Sequence, residues 1–326
     1  AFEHGRLAVP GVGNIDFAAT YDRASAQLAA ASVKSVDIEV AGLYEAVLKP
    51  MLQGSVLGDL RSDGRADIAL DIKNGEVESA EVVFRNVSVE DKGRSFAVFG
   101  LNGRLPWQRE RLTAAKLRLE GGEVLHMPIG AFELPLELHG SDVRMRDVEI
   151  PVLDGKLLVN EFAASGDRAE WSWRFAGGIA PISMQRFTTA LGLPVMHGTL
   201  SAVIPTVSYR QSTLKIDGAL LFKVFDGTIV AQNVVLESPL GKVPRLTANV
   251  EMRGLDLDLL TRTFSFGNIS GRIDAQVRDL ELVNWEAVRF DARVASSAGV
   301  YPRRISQAAV QNISALGGAG AAAAIQ

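Results

Sequence analysis

Runs of residues that alternate between apolar and polar side chains recur along most of this chain. The clearest run is 245–253, in which Leu246, Val250 and Met252 belong to one set and the neighbours of each are mostly polar. Because successive side chains of a β-strand point to opposite faces, such a run predicts a strand with one apolar and one polar face. Similar runs extend from residue 14 to residue 294, so we expect a mainly β protein.

Glycine-containing dipeptides connect many of these runs. Asn74-Gly75, Asp154-Gly155 and Asp226-Gly227 are typical of tight turns, and Gly121-Gly122 is expected to form another. Strands joined by short turns pair antiparallel, since a parallel pair requires a crossover of about a dozen residues or more. The sequence therefore predicts a long antiparallel meander. A slip in the alternation at 82–84 predicts a β-bulge within it.

Three short segments differ from the strands because their apolar residues recur at helical spacing. They are 42–54, 182–193 and 255–266, and the strand pattern resumes after a glycine near the end of each. This shared order of helix, glycine and strand indicates an irregular internal repeat. A further amphipathic helix is predicted between Ile305 and Ile313.

The run Gly177-Gly178-Ile179-Ala180-Pro181 marks a change in composition. We place a soft boundary there, which divides the chain into residues 1–176 and residues 177–326 as two halves of one sheet. With 326 residues, the chain is long enough for one or two domains and a large core.

The predicted strands nearly all carry an apolar face, and three short helices cannot cover so many faces. The sheet must therefore pack on itself as a sandwich or barrel, or curl into a trough with an open apolar interior. An open trough would exceed the few hundred Å² or so of apolar patch that a soluble monomer usually exposes, so it would require a ligand. The residues expected to line this groove are Ile68, Leu70, Ile72, Leu117, Leu119, Leu134, Leu136, Leu138, Trp171, Trp173, Leu220, Phe222, Leu246, Val250, Met252, Ile273, Val277, Phe290 and Val294.

The composition argues against several other functions. The chain has 34 Lys and Arg residues, 38 Asp and Glu residues and no basic cluster with interleaved aromatic residues, so nucleic acid is not an expected partner. It has no cysteine, which removes disulfides, thiolate metal sites and cysteine nucleophiles. No apolar run approaches the roughly 18 residues of a membrane-spanning helix.

Motifs of catalysis and metal binding are also scarce. Without a nucleophile elbow, a phosphate-binding loop or a zinc motif, we expect no enzymatic activity, no metal and no cofactor. Gly11-Val12-Gly13 begins like a dinucleotide fingerprint but is interpreted as a plain turn. Asp256 and Asp258 are interpreted as solvated carboxylates rather than a calcium pair. The histidines, which lack metal-type spacing, are His4, His126, His139 and His197.

Tryptophan leaves one binding function open. Trp171, Trp173 and Trp285 could form a sugar-stacking site, and ordinary burial in the apolar lining is the alternative.

Seven blocks of the chain resemble a known family. In order they are G-L-Y-E-A-V-L-K-P-M-L-Q-G (42–54), G-L-N-G-R-L-P-W (100–107), P-V-L-D-G (151–155), L-G-L-P-V-M-H-G-T-L-S (191–201), F-D-G-T-I (225–229), L-D-L-D-L-L-T-R-T-F-S-F-G-N-I-S-G-R (255–272) and R-I-S-Q-A-A-V-Q-N-I-S (304–314). In this order they resemble the C-terminal part of AsmA-like bacterial envelope proteins of the YdbH and TamB type.

The resemblance implies a Gram-negative periplasmic protein whose full-length form is anchored in the inner membrane by an N-terminal helix. We accordingly expect the sequence to be part of a longer chain. The resemblance also implies a long curled sheet that reaches the outer membrane or an outer-membrane protein and carries phospholipid between the membranes without catalysis. The alternative is a periplasmic scaffold that assists outer-membrane protein assembly by pairing its sheet edges with client strands.

Overall fold

The computed structural model describes residues 2–22, 27–53, 57–93, 95–167, 170–193, 195–239, 243–263 and 267–316. Strands make up 70% of the structure and helices 11%. Every strand pairing among the described residues is antiparallel. The predicted mainly β, antiparallel fold with a few short helices is therefore confirmed.

Packing divides the chain into two units. The first unit contains Ala1–Val152 and Val159–Trp171, and the second unit contains Leu153–Leu158 and Ser172–Gln326. The soft boundary that composition places at residue 177 lies close to this division. The expectation that the two parts are halves of a single trough stays a prediction.

The first unit is built mainly from consecutive antiparallel strands. β1 to β6 pair in chain order, β6 also pairs with β7 and β8, β7 pairs with β10, β8 pairs with β9, and β9 and β10 pair with β11. The strands are β1 (Phe2–Val9), β2 (Gly13–Asp22), β3 (Gln27–Glu39), β4 (Leu60–Lys73), β5 (Glu76–Asp91), β6 (Phe96–Gln108), β7 (Thr113–Leu119), β8 (Gly121–Val124), β9 (Met127–Ile129), β10 (Phe132–His139) and β11 (Asp142–Val152).

The turn predicted at Gly121-Gly122 is wrong. Both glycines lie in β8 and pair with β6. The chain reverses at Leu125 and His126 instead, whose φ angles are 49° and 65°. A Cβ atom at Gly122 would lie 2.4 Å from the carbonyl oxygen of Ala97, so this glycine permits a close approach of two strands.

The second unit continues the same pattern. β13 pairs with β14, β14 pairs with β15 and β16, both of these pair with β17, and β17, β18, β20 and β21 then pair in that order, while β19 pairs with β22. Two strands contribute residues to both units, β12 (Gly155–Asp167) and β13 (Glu170–Ser183). The others are β14 (Thr199–Arg210), β15 (Thr213–Ile216), β16 (Ala219–Val224), β17 (Gly227–Glu237), β18 (Arg245–Asp256), β19 (Ile269–Ser270), β20 (Arg272–Val283), β21 (Glu286–Ser296) and β22 (Arg304–Ile305).

Short helices lie where the helical spacing predicts them. The first helical segment joins α1 (Val40–Leu43), a π-helical turn (Tyr44–Leu48) and α2 (Lys49–Leu52). The other helices are α3 (Met184–Ala190), α4 (Leu257–Thr263) and α5 (Gln307–Leu316). Residues 54 and 264–266 of the predicted helices lie outside the described residues.

The first helical segment is fixed against the end of the first unit by Tyr44 and Gly42. The buried Tyr44 hydroxyl donates to the carbonyl oxygen of Leu57 and accepts from the N–H of Leu60, each at 2.9 Å. A Cβ atom at Gly42 would lie 1.6 Å from the carbonyl oxygen of Gly11, so only glycine fits here. Gly11 belongs to the turn between β1 and β2, and the interpretation of that turn as a plain one is confirmed.

Side chains of Asp or Asn fix several β-bulges. In the described residues, four bulged positions with a positive φ angle each donate a backbone N–H to an Asp or Asn oxygen on the neighbouring strand, at 2.8 or 2.9 Å. The donor and acceptor residues are Asp37 and Asp67, Asn86 and Asn102, Gly254 and Asp274, and Asp279 and Asn249. The sequence predicts a bulge at 82–84, but these residues pair in regular register with both neighbouring strands, and the bulge lies just after them, at Asn86. Because a bulge bends its strand and increases the local twist, these side chains determine where the ladders bend.

Candidate functional site: two apolar faces

The first unit presents an apolar face that crosses its strands in rows. Residues directly opposite each other in a ladder lie on the same face of the sheet. The rows are Ile15, Ser35, Ile68, Val82 and Leu105; Phe17, Val33, Leu70, Ala80 and Trp107; and Ala66, Phe84, Gly103, Leu117 and Leu134. We call these residues, with the alternate residues of the same strands, the first apolar face.

All eight residues predicted from β4, β7 and β10 lie on the first apolar face. The register places them together, as expected for strands of period two. They are Ile68, Leu70, Ile72, Leu117, Leu119, Leu134, Leu136 and Leu138. Leu117, Leu119 and Leu138 are buried, and the other five are half-buried.

The partial exposure of the middle strands is informative. Ile68, Leu70 and Ile72 have a hydrogen-bonded strand on each side, yet all three remain half-buried. In a sandwich, a facing sheet would pack over such side chains and remove nearly all of their exposure. Among the described residues, no second layer seals this part of the face.

One polar residue, Ser35, interrupts the first row, and its hydroxyl has a hydrogen-bond partner within the protein. Ser35 lies between Ile15 and Ile68 and is buried, and its hydroxyl donates to the carbonyl oxygen of Asn14 at 2.5 Å. The buried hydroxyl therefore has its hydrogen-bond partner within the protein.

The opposite face of the first unit carries charge. Cross-strand ion pairs lie there, and Arg85 contacts both Asp37 and Asp67. The N–H of Asp37, and then the Arg85 guanidinium, hold the pKa of Asp67 below its usual value. The other pairs include Arg6 with Asp16, Arg104 with Glu81, and Lys116 with Glu133. The unit thus has one apolar and one charged face.

The second unit presents an equivalent apolar face. Its rows are Ile179, Ala202, Phe222, Ile229, Met252, Ala275 and Val294; Leu220, Ala231, Val250, Val277 and Ala292; and Trp173, Tyr209, Leu214, Leu236, Leu246, Leu282 and Ala287. We call these residues, with the alternate residues of the same strands, the second apolar face. The predicted residues on it are Trp173, Leu220, Phe222, Leu246, Val250, Met252, Ile273, Val277, Phe290 and Val294.

Helices cover one end of the second apolar face. Met184 of α3 and Leu255 near the end of β18 are buried together with Val224 at the end of β16 and Phe225 of the β16–β17 turn. Leu259 and Leu260 of α4 pack on the same cluster as partly buried residues. We call this part of the second unit the helix-covered end.

In the remainder of the second apolar face, all the described residues of the buried cluster come from strands. Val207, Ile216, Val234 and Ala248 are buried, and partly buried residues from the strands surround them. Trp173 belongs to this rim and stacks on Tyr209, with ring centroids 5.6 Å apart and an interplanar angle of 14°. Because a neighbouring protein ring occupies one face of Trp173, stacking on a sugar is limited to its other face.

Three of the predicted lining residues are largely exposed. Phe290 and Val294 are 57% and 64% exposed because β21 pairs only with β20 among the described strands. Trp171, 59% exposed, lies in the first unit, with ring atoms 2.6 to 2.8 Å from the position that a Cβ of Gly166 would take. These side chains lie at margins, whereas Val250 and Leu70 lie in interior strands.

The described residues form no candidate metal site, and the carboxylates singled out in the sequence have partners within the protein. Within the described residues, no cluster of three or more His, Cys, Asp or Glu side chains could hold a metal ion. Asp256 is not simply solvated as expected, because its Oδ1 accepts from the N–H groups of Asp258 at 2.8 Å and Leu259 at 3.2 Å and so caps α4. Asp258 forms an ion pair with Arg262 at 2.6 Å. Both carboxylates therefore serve helix α4.

None of the helices in the described part of the chain is both long enough and apolar enough to cross a membrane. Comparisons of the chain with protein-family models, with curated proteins and with solved structures found no match. The resemblance to AsmA-like envelope proteins stays a prediction.

Proposed function

We propose that this protein is a non-enzymatic lipid conduit of the periplasm, anchored to the inner membrane in its full-length form. It binds phospholipid acyl chains along its apolar faces and carries them between the inner and outer membranes. The observation that carries the proposal is the partial exposure of Ile68, Leu70 and Val250, which lie in interior strands between hydrogen-bonded neighbours. The sequence resemblance supports the same function.

Burial of an acyl chain supplies enough free energy for such binding. A chain of about sixteen carbons gains on the order of 12 kcal/mol on leaving water, at about 0.8 kcal/mol per CH₂. This term is non-directional, so rows of Leu, Val and Ala suffice without specific polar contacts. The charged opposite face keeps the protein hydrated.

The rows also have a suitable length. Neighbouring strands lie about 4.8 Å apart, so a row that crosses five strands extends about 19 Å. The row Phe17, Val33, Leu70, Ala80 and Trp107 crosses five strands. An extended acyl chain of that size can therefore lie across the strands on continuous apolar contacts.

Mass spectrometry of an organic extract of the purified protein tests this proposal. We expect co-purified phospholipid in amounts well above those from an unrelated protein purified identically. If the extract is clean and the protein also fails to bind an added fluorescent phospholipid, the conduit is excluded.

A scaffold that pairs with client strands is the second candidate, and the exposed edge strand β21 is the observation that favours it. All eleven residues of β21 are exposed. However, Arg289, Asp291 and Arg293 alternate along this strand, and charges of this kind usually protect an edge against pairing. Lipid-free protein that binds an unfolded porin would favour the scaffold.

A further inference from the structure

The loop between β21 and β22 presents apolar and basic side chains together. Val300 stands fully in solvent, with a relative exposure of 108%. Arg303 and Arg304 follow it and are exposed, and so is Ile305 in β22. Arg272, at the start of β20, is exposed beside the base of the loop. We call Arg272, Val300, Tyr301, Arg303, Arg304 and Ile305 the basic tip.

Hydrogen bonds fix both bases of this loop. At the first base, the buried Ser297 donates its hydroxyl to Asp274 at 2.7 Å and its N–H to the carbonyl oxygen of Arg272 at 2.9 Å. At the second base, Ser306 and Asn268 exchange two hydrogen bonds of 2.9 Å. The Tyr301 hydroxyl donates back to the carbonyl oxygen of Ser297. These hydrogen bonds fix both ends of the loop, so that the basic tip projects into solvent.

The arginines of the basic tip are available for an external anion. In the part of the chain that the structure describes, no carboxylate forms an ion pair with Arg272, Arg303 or Arg304. Arg303 lies over the Tyr301 ring, 5.0 Å from its centroid. Asp256 is opposite Arg272 in the ladder, but its Oδ1 accepts the cap bonds of α4.

The surroundings of the basic tip add exposed aliphatic side chains. Leu193 and Val195, which follow α3, are each 47% exposed. Helices α3 and α4 pack on one cluster, and β19, which follows α4, pairs with β22. These side chains therefore belong to the same helix-covered end of the second unit as the basic tip.

We propose that the basic tip docks on the surface of an anionic phospholipid bilayer. The arginines contact lipid phosphates, and Val300 and Ile305 enter the boundary between headgroups and acyl chains. Arginine binds phosphate through several N–H donors in a fixed geometry, which suits exposed Arg303 and Arg304. A bilayer fits better than an apolar protein groove because exposed cations surround the aliphatic side chains. This docking is independent of acyl-chain binding along the two faces.

Flotation with vesicles tests the proposal on the full chain. The vesicles contain phosphatidylcholine alone or with about 30% phosphatidylglycerol, so that surface charge is the variable. We expect binding to the anionic vesicles only, and a marked decrease when the salt concentration is raised. Arg303→Gln with Arg304→Gln should weaken binding about 25-fold, since each cation near an anionic surface contributes about fivefold. Val300→Ser should weaken it by about tenfold through loss of apolar burial.

The matched control is Arg289→Gln with Arg293→Gln, which removes the same net charge from exposed β21. We expect less than about a threefold change, because these arginines lie outside the basic tip. Equal losses in both double variants would show a net-charge effect and overturn the proposal. If the wild-type protein binds neither kind of vesicle, the proposal is also overturned, and a protein partner is favoured. Co-purified phospholipid, measured in the same samples, reports on the proposed conduit separately.

Discussion

The two apolar faces arise from the same alternation but are buried to different extents. In the first, Ala19 and Ala31 oppose each other in β2 and β3, and the first helical segment packs near the start of β4. In the second, Phe222 and Met252 lie in one row, and two helices pack on a buried cluster. The alternation determines which side is apolar, whereas side-chain volume and the nearby helices determine how much of that side is sealed.

The largest difference is expected from truncating matched leucines. Leu255 is 3% exposed in the cluster at the helix-covered end, so Leu255→Ala should lower the free energy of unfolding by about 3 to 5 kcal/mol. Leu70 is half-buried on the first apolar face, so Leu70→Ala should cost only about 1 to 2 kcal/mol. Urea unfolding followed by circular dichroism measures both. Equal losses would mean that the first face is sealed as completely as the cluster.

One methyl group added at Gly42 should displace the first helical segment. Gly42→Ala places a Cβ atom against the backbone of Gly11, which cannot move without distorting the β1–β2 turn. We expect a loss of about 2 to 3 kcal/mol in thermal or urea unfolding. The exposed neighbour Ala41 is the control, and Ala41→Ser should change stability by less than about 0.5 kcal/mol. A silent Gly42→Ala would contradict the close approach.

Asp67 in the first unit and Asp274 in the second each accept the N–H of a bulged residue. Their contributions to stability should both depend on pH but should respond differently to salt. The N–H of Gly254 and the hydroxyl of Ser297 hold the pKa of Asp274 below its usual value, as Asp37 and Arg85 do for Asp67. A lowered folded-state pKa stabilises the protein above the unfolded-state pKa of about 3.9, and this contribution is lost as pH falls through the folded-state pKa.

Asp67→Asn and Asp274→Asn should each cost about 1 to 2 kcal/mol at pH 7, and much less at acid pH. Raising the salt concentration should reduce the cost more for Asp67→Asn than for Asp274→Asn, because Arg85 pairs directly with Asp67. The hydrogen-bond donors to Asp274 are neutral, and Arg253 adds only the smallest of the effects on its pKa. Urea titrations at several pH values and salt concentrations measure this. A cost that stays constant down to low pH would contradict the carboxylate role.

The faces and helices were predictable from the sequence, because the spacings that encode them are local. Leu70 and Val250 fall on the expected face, and α3 and α4 lie within the predicted segments. The sequence did not predict which of the lining residues lie on an edge strand. Phe290 has the same local alternation as Val250, and its greater exposure arises because β21 is an edge strand among the described residues.

The roles of the bulge residues also escaped prediction. Asn249 lies on the polar side of β18 and looks like a solvated residue, yet its Oδ1 accepts the N–H of Asp279 at 2.9 Å. Asp256 likewise caps α4. In both cases the partner is identified only by strand register or by the helix start. An Asp or Asn beside a slip in the alternation is the signal that would have found the bulges.

The central claim is that interior strands carry apolar faces that remain open to acyl chains. Val250 tests it most directly, since it lies between Ala231 and Val277 in a row and is half-buried. Gln232→Glu is the control, because Gln232 is exposed on the polar side of β17 and fixes no bulge in the described structure, unlike Asn249.

The measurement is the amount of phospholipid bound per protein, with urea stability recorded on the same samples. We expect Val250→Glu to reduce bound phospholipid markedly, because it interrupts the second apolar face and leaves the first one unchanged. Stability should fall by less than about 2 kcal/mol, because water or lipid headgroups can reach the new carboxylate. Gln232→Glu should change neither quantity. If Val250→Glu unfolds the second unit while Gln232→Glu is silent, the face is closed over a conventional core and the account is contradicted.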